Sequence, residues 1–311
     1  MWRLKNGDLL AVFYAGYGHV SRPRAETPSG GAVALCRSSD GGLTWSKASI
    51  VLDTPLDDRD PSVWQVDDGT VFISCNAIDW NTYQPSSPES FRCYVYTIKS
   101  NDNGKTWTAP DAVHIGDVAE YTAWTEPHRL ANGEWLWSIY RNRVTETTTA
   151  FTRSTDGGHT WGPPALIDAD SKTTDEPDFC QFPDGSLFCA MRPGGQYMWQ
   201  SWSRDNGHTW TKQAPLPFYG HSPCLLYTKS GVTLLSHRDP GMTISYSFDN
   251  AKTWAGSVMI DPCGGAMSRM VELPDGRVLI VYYSEGGNSE IRAQFLKVSK
   301  SGVVFGAGKP R

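Results

Sequence analysis

Ser154-Thr-Asp-Gly-Gly-His-Thr-Trp161 is one of five copies of an eight-residue motif that decides the fold of this chain. The copies follow the pattern Ser-x-Asp-x-Gly-x-Thr-Trp, and only Ala251 departs from it. The other four copies are Ser38–Trp45, Ser100–Trp107, Ser203–Trp210 and Ser247–Trp254. A motif that recurs along a chain predicts a repeat architecture built from similar structural units.

The residue types of this Asp motif are those of a hairpin turn. The Asp carboxylate accepts backbone N–H groups inside the turn, and Gly adopts a positive φ without steric cost. Thr begins the next strand, and the Trp ring offers a large apolar face to a neighbouring unit. A catalytic or metal-binding role for the five Asp residues would require five separate sites. We therefore interpret the motif as a structural feature of the fold.

A second set of turns alternates with the first. In each of them a Gly follows Asn, Asp or Ser between two apolar runs, a pattern typical of β-hairpins. The six turn glycines are Gly7, Gly69, Gly133, Gly185, Gly231 and Gly276. Six such turns and five Asp motifs predict six four-stranded antiparallel units, of which the last lacks the motif. Radial repetition of four-stranded sheets is a β-propeller, so we expect an all-β, six-bladed propeller.

The composition agrees with a single propeller domain over residues 1–311. The chain contains 30 Gly, 20 Pro and 13 Trp, which suits turns and aromatic packing between blades. It shows neither a sustained helical period nor an apolar run of membrane-spanning length. The net charge of −5 gives no electrostatic argument for nucleic-acid binding. No cofactor motif and no metal-ligand spacing occur, so we expect neither a cofactor nor a metal site.

The ends of the chain and its cysteines bear on localisation. Little sequence precedes Gly7, so either the start is truncated or the segment Val303–Gly306 helps to close the ring. The absence of a secretory signal predicts a cytoplasmic protein, whereas a truncated start leaves a secreted or periplasmic protein open. The chain has seven Cys, and Cys180 and Cys189 flank the Gly185 turn symmetrically. We expect free buried thiols, with a disulfide as the alternative after export.

Both kinds of turn join strands at the same strand end in each predicted sheet. This row of strand ends, not an outer strand, is one edge of the sheet. The opposite edge therefore gathers the start of every first strand and the end of every second strand. Before the turn glycines these positions hold Asp60, Glu126, Glu176, His221 and Met267, and after them Tyr14, Asn76, Arg141, Arg192, Arg238 and Tyr283. Their immediate neighbours are Asp57, Asp58, Arg59, Asp175, His237 and Arg269.

Carboxylates on one strand and arginines on the next predict a polar ligand site at that edge. Arg binds carboxylates through two parallel hydrogen bonds, which indicates an acidic ligand. The alternative for each single residue is a solvated strand end or an ion pair between blades. Glu176 and Arg192 form the strongest candidate pair, because both lie on one hairpin of the central strands.

The Asp motifs and Gly turns together resemble the Asp-box, or BNR, repeats of the sialidase (neuraminidase) superfamily over essentially the whole chain. The resemblance implies a sugar carboxylate held by three arginines, a tyrosine nucleophile activated by a glutamate, and an aspartate as acid/base. The segment Glu176–Arg192 resembles the family's Glu–turn–Arg segment, which implies that it supplies the glutamate and the second arginine. Arg238 is similar to the third arginine.

Three residues of the family pattern have no counterpart at the expected positions. The first arginine should precede Leu4, where Arg3 does not fit the motif. Met267 stands where the tyrosine is expected. The loop 16–26, in which the aspartate is expected, contains no Asp and leaves only Glu26 or His19 as substitutes. We therefore expect a divergent member of the superfamily.

The leading hypothesis is an exo-acting glycoside hydrolase that cleaves a terminal acidic sugar. Glu176 would act as base or nucleophile, and Asp60 or Glu126 as the general acid. A carboxyl buried beside another has a raised pKa, which such an acid requires. The substrate-binding candidates, of which the first three would bind the carboxylate, are Arg192, Arg238, Arg141, Arg59, His221 and Tyr283.

Two other functions stay open. The missing tyrosine and aspartate favour a non-catalytic sugar-binding propeller, in which Trp80, Trp124 and Tyr219 would stack on sugar faces. A polysaccharide lyase acting on uronic acids would instead use His221, Tyr219 and His237 to abstract a proton. All three hypotheses have a carbohydrate as the partner.

Overall fold

The structure is a computed structural model that describes residues 1–26, 28–82, 92–113, 115, 121–143, 146–167, 173–193, 197–238, 240–285 and 289–305. Apart from one 3-10 turn at Trp80–Thr82, the regular elements in these ranges are β-strands. None of the helical structure in the described ranges is long and apolar enough to cross a bilayer. The strands pair in six antiparallel sheets that follow one another along the chain.

The described residues divide into two compact units, of which the first comprises Met1–Ser39 and Trp45–Asp175. Its first sheet contains β1 (Trp2–Arg3), β2 (Leu9–Ala15), β3 (Ala32–Ser38) and β4 (Ser49–Leu52). Its second contains β5 (Asp57–Gln65), β6 (Val71–Asp79), β7 (Arg92–Ser100) and β8 (Asp111–Ala112). Its third contains β9 (Tyr121–Ala123), β10 (His128–Arg129), β11 (Trp135–Arg143), β12 (Glu146–Ser154) and β13 (Ala165–Leu166). Because β9 and β10 both pair with β11, they share the place of one strand.

The second unit comprises Asp40–Thr44 and Glu176–Arg311. The fourth sheet contains β14 (Thr174–Gln181), β15 (Leu187–Pro193), β16 (Tyr197–Ser203) and β17 (Ala214–Tyr219). The fifth contains β18 (His221–Tyr227), β19 (Thr233–Arg238), β20 (Met242–Ser247) and β21 (Gly256–Asp261). The sixth contains β22 (Gly264–Glu272), β23 (Arg277–Glu285), β24 (Glu290–Ser299) and β25 (Gly302–Phe305).

Each sheet is four strands wide, and its strands pair in sequence order. Six consecutive four-stranded antiparallel sheets are the blades of a six-bladed β-propeller, so the predicted fold class is confirmed. The sixth sheet forms without an Asp motif, as the count of turns predicts. The extent of a single domain over residues 1–311 stays a prediction.

The six turn glycines have positive φ, from +78° at Gly231 to +97° at Gly7 and Gly69. In every one of these turns the Gly N–H donates to the carbonyl three residues earlier, as Gly69 does to Val66 at 3.0 Å. Residues with a Cβ enter this part of φ space at a cost, which explains why Gly occupies the position in all six turns.

The Asp motif folds around one carboxylate, which accepts hydrogen bonds from other residues of the motif. The Oδ1 atom of Asp102 accepts the hydroxyl of Ser100 at 2.7 Å and the backbone N–H groups of Lys105 and Thr106 at 2.9 Å. Its Oδ2 atom accepts the Thr106 hydroxyl at 2.7 Å. Hydrogen bonds from Thr106 and Ser100 hold the pKa of Asp102 well below its ordinary value. The Asp carboxylate therefore organises the turn, as the sequence predicts. The prediction that Thr begins the next strand is wrong, because Thr106 lies within the turn and the next strand begins at Asp111.

Two of the motif tryptophans, Trp161 and Trp254, pack against the preceding sheet of the same unit. Trp161 follows the third strand of the third sheet and joins a core cluster that includes Trp64 and Phe72 of the second sheet. Trp254 of the fifth sheet lies 6.0 Å from Phe188 of the fourth, measured between ring centroids. The motif therefore links a tight turn to the apolar packing between sheets.

The C-terminal segment and the cysteines have clear places in the second unit. Residues Gly302–Phe305 pair with β24 as the outer strand of the sixth sheet, and Gly306 lies outside the described residues. Cys180 and Cys189 are buried and form no disulfide, as the sequence predicts. Burial raises the pKa of both thiols well above the ordinary value.

Replacing Gly158 by Ala tests how tightly the motif turn is built. Gly158 has a φ of +90°, and an added Cβ would lie 3.0 Å from Cγ1 of Val66. The control is Gly185→Ala, where φ is +83° but an added Cβ meets nothing within 4 Å. We expect Gly185→Ala to lower the free energy of unfolding by about 1–2 kcal/mol through backbone strain alone. Gly158→Ala should lose roughly 1–3 kcal/mol more through crowding. Equal losses in urea denaturation would contradict this account.

Candidate functional site

In two of the sheets the strand register places predicted positions opposite each other at the strand ends away from the turn glycines. In the first unit Arg59 of β5 lies opposite Asn76 of β6. In the second unit His221 of β18 lies opposite Arg238 of β19. The turn glycines lie at the other ends of these strands.

Glu176 is the centre of a polar cluster in the second unit. Its side chain is buried, and Nη1 of Arg192 donates a 2.6 Å hydrogen bond to Oε1. The hydroxyl of Ser222 donates to Oε2 at 2.9 Å. The structure therefore brings together the Glu176–Arg192 pair predicted from the sequence and adds Ser222 from the next sheet.

Burial raises the pKa of Glu176 above that of an ordinary glutamate. The charge of Arg192, the hydrogen bond from Ser222 and the charge of Arg238 oppose this rise. A carboxyl whose proton is held more tightly than usual by burial, with cations beside it, is suited to proton transfer or to electrostatic stabilisation of a reacting group.

The backbone at Glu176 explains how its side chain is aimed. Asp60, Glu176 and Ser222 have φ values of +49°, +46° and +56°, and each stands nine residues before a turn glycine with a proline directly after it. In the second and fifth sheets the strand pairing shifts register at this point, as in a β-bulge. Bulges redirect side chains, and proline within a strand is confined to edges and bulges. The repeated proline is the sequence signal that places Ser222 at the position equivalent to Asp60 and Glu176. The residue predicted for that position was its neighbour His221.

Arg238 lies at the end of β19 with a guanidinium that is incompletely paired. Its Nε atom is buried and makes no hydrogen bond to the residues that the structure describes. A buried donor without an acceptor costs free energy, and a bound anion would remove that cost. Arg238 and Arg192 thus offer donors around the Glu176 carboxylate.

The other predicted residues of the second unit have different surroundings. His237 is buried, with Nε2 3.0 Å from the Ser245 hydroxyl and its ring stacked 5.3 Å from Phe218. It is therefore part of the packing of the fifth sheet. The Tyr283 hydroxyl donates to Glu285 at 3.2 Å. Met267, at the position expected for tyrosine, is half-buried on β22.

In the first unit, the Asp57 carboxylate accepts hydrogen bonds from two aromatic side chains. Its Oδ1 atom accepts the Tyr14 hydroxyl at 2.7 Å and the Gly31 N–H at 2.8 Å. Its Oδ2 atom accepts the indole N–H of Trp80 at 2.8 Å. Asp57 and Asp58 are fully buried, so the alternative of a solvated strand end is wrong for both residues.

Arg59 and Asp60 remain at the edge of the second sheet. The Arg59 guanidinium lies 5.5 Å from the centroid of the Tyr14 ring, and its Nη2 donates to the His19 carbonyl at 3.0 Å. Asp60 accepts a 3.3 Å hydrogen bond from Asn76. Asn76 also bonds the backbone of Ala123 in the third sheet, which gives it a structural role.

The third sheet carries the remaining candidates. Glu126 is buried in the segment between β9 and β10. Arg141 lies on β11 with a buried Nε that makes no hydrogen bond to the described part of the chain. Trp124 is only 3% exposed, so its ring has no free face for the sugar stacking suggested for it.

The substitutes considered for the missing family residues also have definite places in the first unit. Arg3 pairs with Leu9 close to the Gly7 turn, at the edge opposite the candidate site. Glu26 is exposed and lies 3.5 Å from Arg24 in an ion pair. Within the described ranges, no group of three or more His, Cys, Asp or Glu side chains is arranged to hold a metal ion.

Residues 33–306 match the BNR repeat-like domain family. The chain belongs to this family. It is also similar to a sialidase from Micromonospora viridifaciens, with 27% identity over 261 residues that make up 80% of this chain and 33% of that protein. The chain thus spans about a third of the length of that relative.

Solved structures show the same fold. A Dyadobacter fermentans protein of unknown function superposes with a TM-score of 0.80 at 21% identity, covering 95% of this chain and 93% of that one. A leech intramolecular trans-sialidase gives a TM-score of 0.73 at 16% identity, covering 96% and 67%. The resemblance to the sialidase superfamily, as a divergent BNR-repeat member, is confirmed.

Asp58 should give the stability of this BNR-repeat protein a distinct pH dependence. Burial raises the pKa of Asp58 to about 6, although Thr54 donates two hydrogen bonds to the carboxylate. Because the folded pKa exceeds the unfolded one, ionisation of Asp58 destabilises the folded state as pH rises from about 4 to about 6. We expect the free energy of unfolding of wild type minus that of Asp58→Asn to fall by about 2 kcal/mol between pH 4 and pH 7. Parallel pH profiles in chemical denaturation would contradict this.

Removing the positive charge beside Glu176 should raise the pKa of its carboxyl group. Replacing Arg192 by Met removes the strongest influence that opposes burial, so the pKa of Glu176 should rise further. Carboxyl ¹³C NMR titration measures this directly. Arg277→Met is the control, because Arg277 pairs with Asp275 beside the Gly276 turn at the other edge. An unchanged Glu176 titration in Arg192→Met would show that the ion pair does not set it.

Proposed function

We propose that this protein is an exo-acting glycoside hydrolase that cleaves a terminal acidic sugar from a glycan. The proposal is carried by one observation: a buried glutamate lies at a strand-end edge with Arg192 and Arg238 around it. The BNR-repeat membership and the similarity to a sialidase support the same class of substrate. Because a fold alone does not assign an activity, the side chains of Glu176, Arg192 and Arg238 are the basis for this one.

The two arginines would bind the carboxylate of the sugar. Arg192 donates one N–H to Glu176, and the buried Nε of Arg238 has no acceptor in the described structure. A planar guanidinium matches a carboxylate in geometry as well as in charge. Binding would satisfy the Arg238 donor and balance two positive charges that face a single glutamate.

Glu176 would act as the nucleophile or as the base that activates water. Both of its oxygens accept one hydrogen bond, which leaves further lone pairs for a reacting group. Glycoside hydrolysis passes through an oxocarbenium-like transition state, which a carboxylate beside the anomeric carbon stabilises. Because Met267 replaces the family tyrosine, the proposal gives the covalent or base role to Glu176 itself. Asp60 and Glu126, the predicted general acids, stay predictions for their role.

A second candidate function is glycan binding without hydrolysis. The observation that favours it is Met267, a side chain that offers no nucleophile where the family has one. In that case the arginines would hold an acidic sugar that is never released from its glycan. The lyase alternative retains only His221 and Tyr219 as candidates for proton abstraction, because His237 is buried in packing.

The test is a turnover assay on aryl glycosides of acidic and neutral sugars and on uronate polymers. Wild type should release the aglycone from an acidic glycoside, and Glu176→Gln should lower turnover by about 100- to 10,000-fold. Circular dichroism and the unfolding midpoint should show that the variant is folded. Glu272→Gln is the matched control, because Glu272 lies at the other end of a first strand and accepts the Lys229 N–H.

The outcomes separate the candidate functions. Retained turnover in Glu176→Gln would remove the proposed mechanism. An unsaturated product that absorbs in the ultraviolet would replace the hydrolase by a lyase. Binding of acidic sugars without release of any product would leave a carbohydrate-binding protein.

A further inference from the structure

Two tyrosines of the fourth sheet form an exposed aromatic pair. Tyr197 and Tyr219 lie opposite each other in the β16–β17 register, with ring centroids 4.4 Å apart and planes inclined by 55°. They are 47% and 46% exposed, respectively. Large aromatic rings usually bury most of their surface, so two adjacent rings left in solvent indicate a contact surface for a ligand.

The tyrosine pair lies at the same edge of the sheet as the candidate site. Tyr197 is the first residue of β16 and follows Arg192 of β15 after a short connection, while Tyr219 is the last residue of β17. Neighbouring strands lie about 4.8 Å apart, so β16 and β17 are roughly 10–15 Å from β14, which carries Glu176. A ligand whose terminal sugar is at Glu176 would reach the tyrosine pair with the sugar residues that follow.

The chemistry around the pair differs from that around Glu176. Neither β16 nor β17 contains a charged residue. The nearest strands thus offer apolar rings and uncharged polar groups, whereas Arg192 and Arg238 supply positive charge to the inner strands. A neutral sugar ring fits the outer position, because its C–H face packs on aromatic rings and its hydroxyls reach the phenol oxygens.

The pair is also held in place before any ligand binds. The two rings contact each other, with their centroids 4.4 Å apart, so each ring limits the motion of the other. Side chains that are already ordered lose less entropy on binding. Mutual restraint of the rings therefore favours a preformed surface.

We propose that Tyr197 and Tyr219 form a second carbohydrate subsite, which binds a neutral pyranose that follows the terminal acidic sugar. This inference rests on the proposed function for the identity of the terminal sugar. It assigns to the fourth sheet a role in recognising the length and composition of the glycan. The double variant Tyr197→Ala/Tyr219→Ala would remove the surface, and the single Phe variants would keep the rings.

The experiment measures binding to N-acetylneuraminic acid and to 3′-sialyllactose in a Glu176→Gln background, so that the probes stay intact. The trisaccharide should bind at least about tenfold more tightly than the monosaccharide. The double Ala variant should lose that gain while its affinity for the monosaccharide stays the same, and the Phe variants should retain most of it. Ile291→Ala is the control, because Ile291 is also exposed near the start of a third strand in this unit.

A second readout keeps this inference separable from the proposed function. Protein labelled with 3-fluorotyrosine reports contacts of Tyr197 and Tyr219 by ¹⁹F NMR with the two sialosides, oligogalacturonates and neutral oligosaccharides. Tyrosine shifts with a neutral oligosaccharide, in a protein that shows no turnover, would retain the subsite and remove the hydrolase. A panel that shifts neither tyrosine, or a trisaccharide gain that survives the double Ala variant, would overturn the subsite.

Discussion

The hydrogen bonds that one aspartate accepts within eight residues organise the outer half of nearly every sheet. Asp102 collects two backbone N–H groups and two hydroxyls, which closes the turn before the last strand. In the third and fifth sheets the tryptophan that ends the motif then packs against the preceding sheet, as Trp161 does in the cluster around Trp64. Local satisfaction of one carboxylate is thereby joined to the apolar packing that holds neighbouring sheets together.

The two edges of the sheets differ in their contribution to the free energy of folding. The turn edge consists of satisfied donors and of glycines in the backbone region that suits them. The opposite edge of the second unit holds a buried glutamate with a left-handed backbone and an arginine Nε that has no acceptor among the described residues. Strained backbone and unsatisfied donors persist only where the surrounding structure supports them, and they concentrate at functional sites. The contrast between the two edges is the physical basis for placing the site at Glu176.

The fold could be predicted from the sequence because its determinants are local. An Asp and a Gly at fixed spacing specify a turn wherever they occur, and six repeats then specify the class. Glu176 and Arg192 could be paired for the same reason, since one hairpin carries both. Ser222 was missed because its position depends on a bulge that shifts the strand by one residue. The burial of Trp124 and the contacts of Asp57 with Tyr14 and Trp80 depend on distant segments, which no local pattern reveals.

Strands in each sheet pair only with their neighbours along the chain, apart from the divided inner strand at β9 and β10. Each blade can therefore close its ladders from contacts of short sequence separation, without waiting for distant segments of the polypeptide. Low contact order accelerates folding, and it allows an N-terminal blade to form while later ones are still being synthesised. The loops at the edge opposite the turn glycines join strands that have already paired, so their sequences are free to diverge without delaying the maturation of the nascent chain.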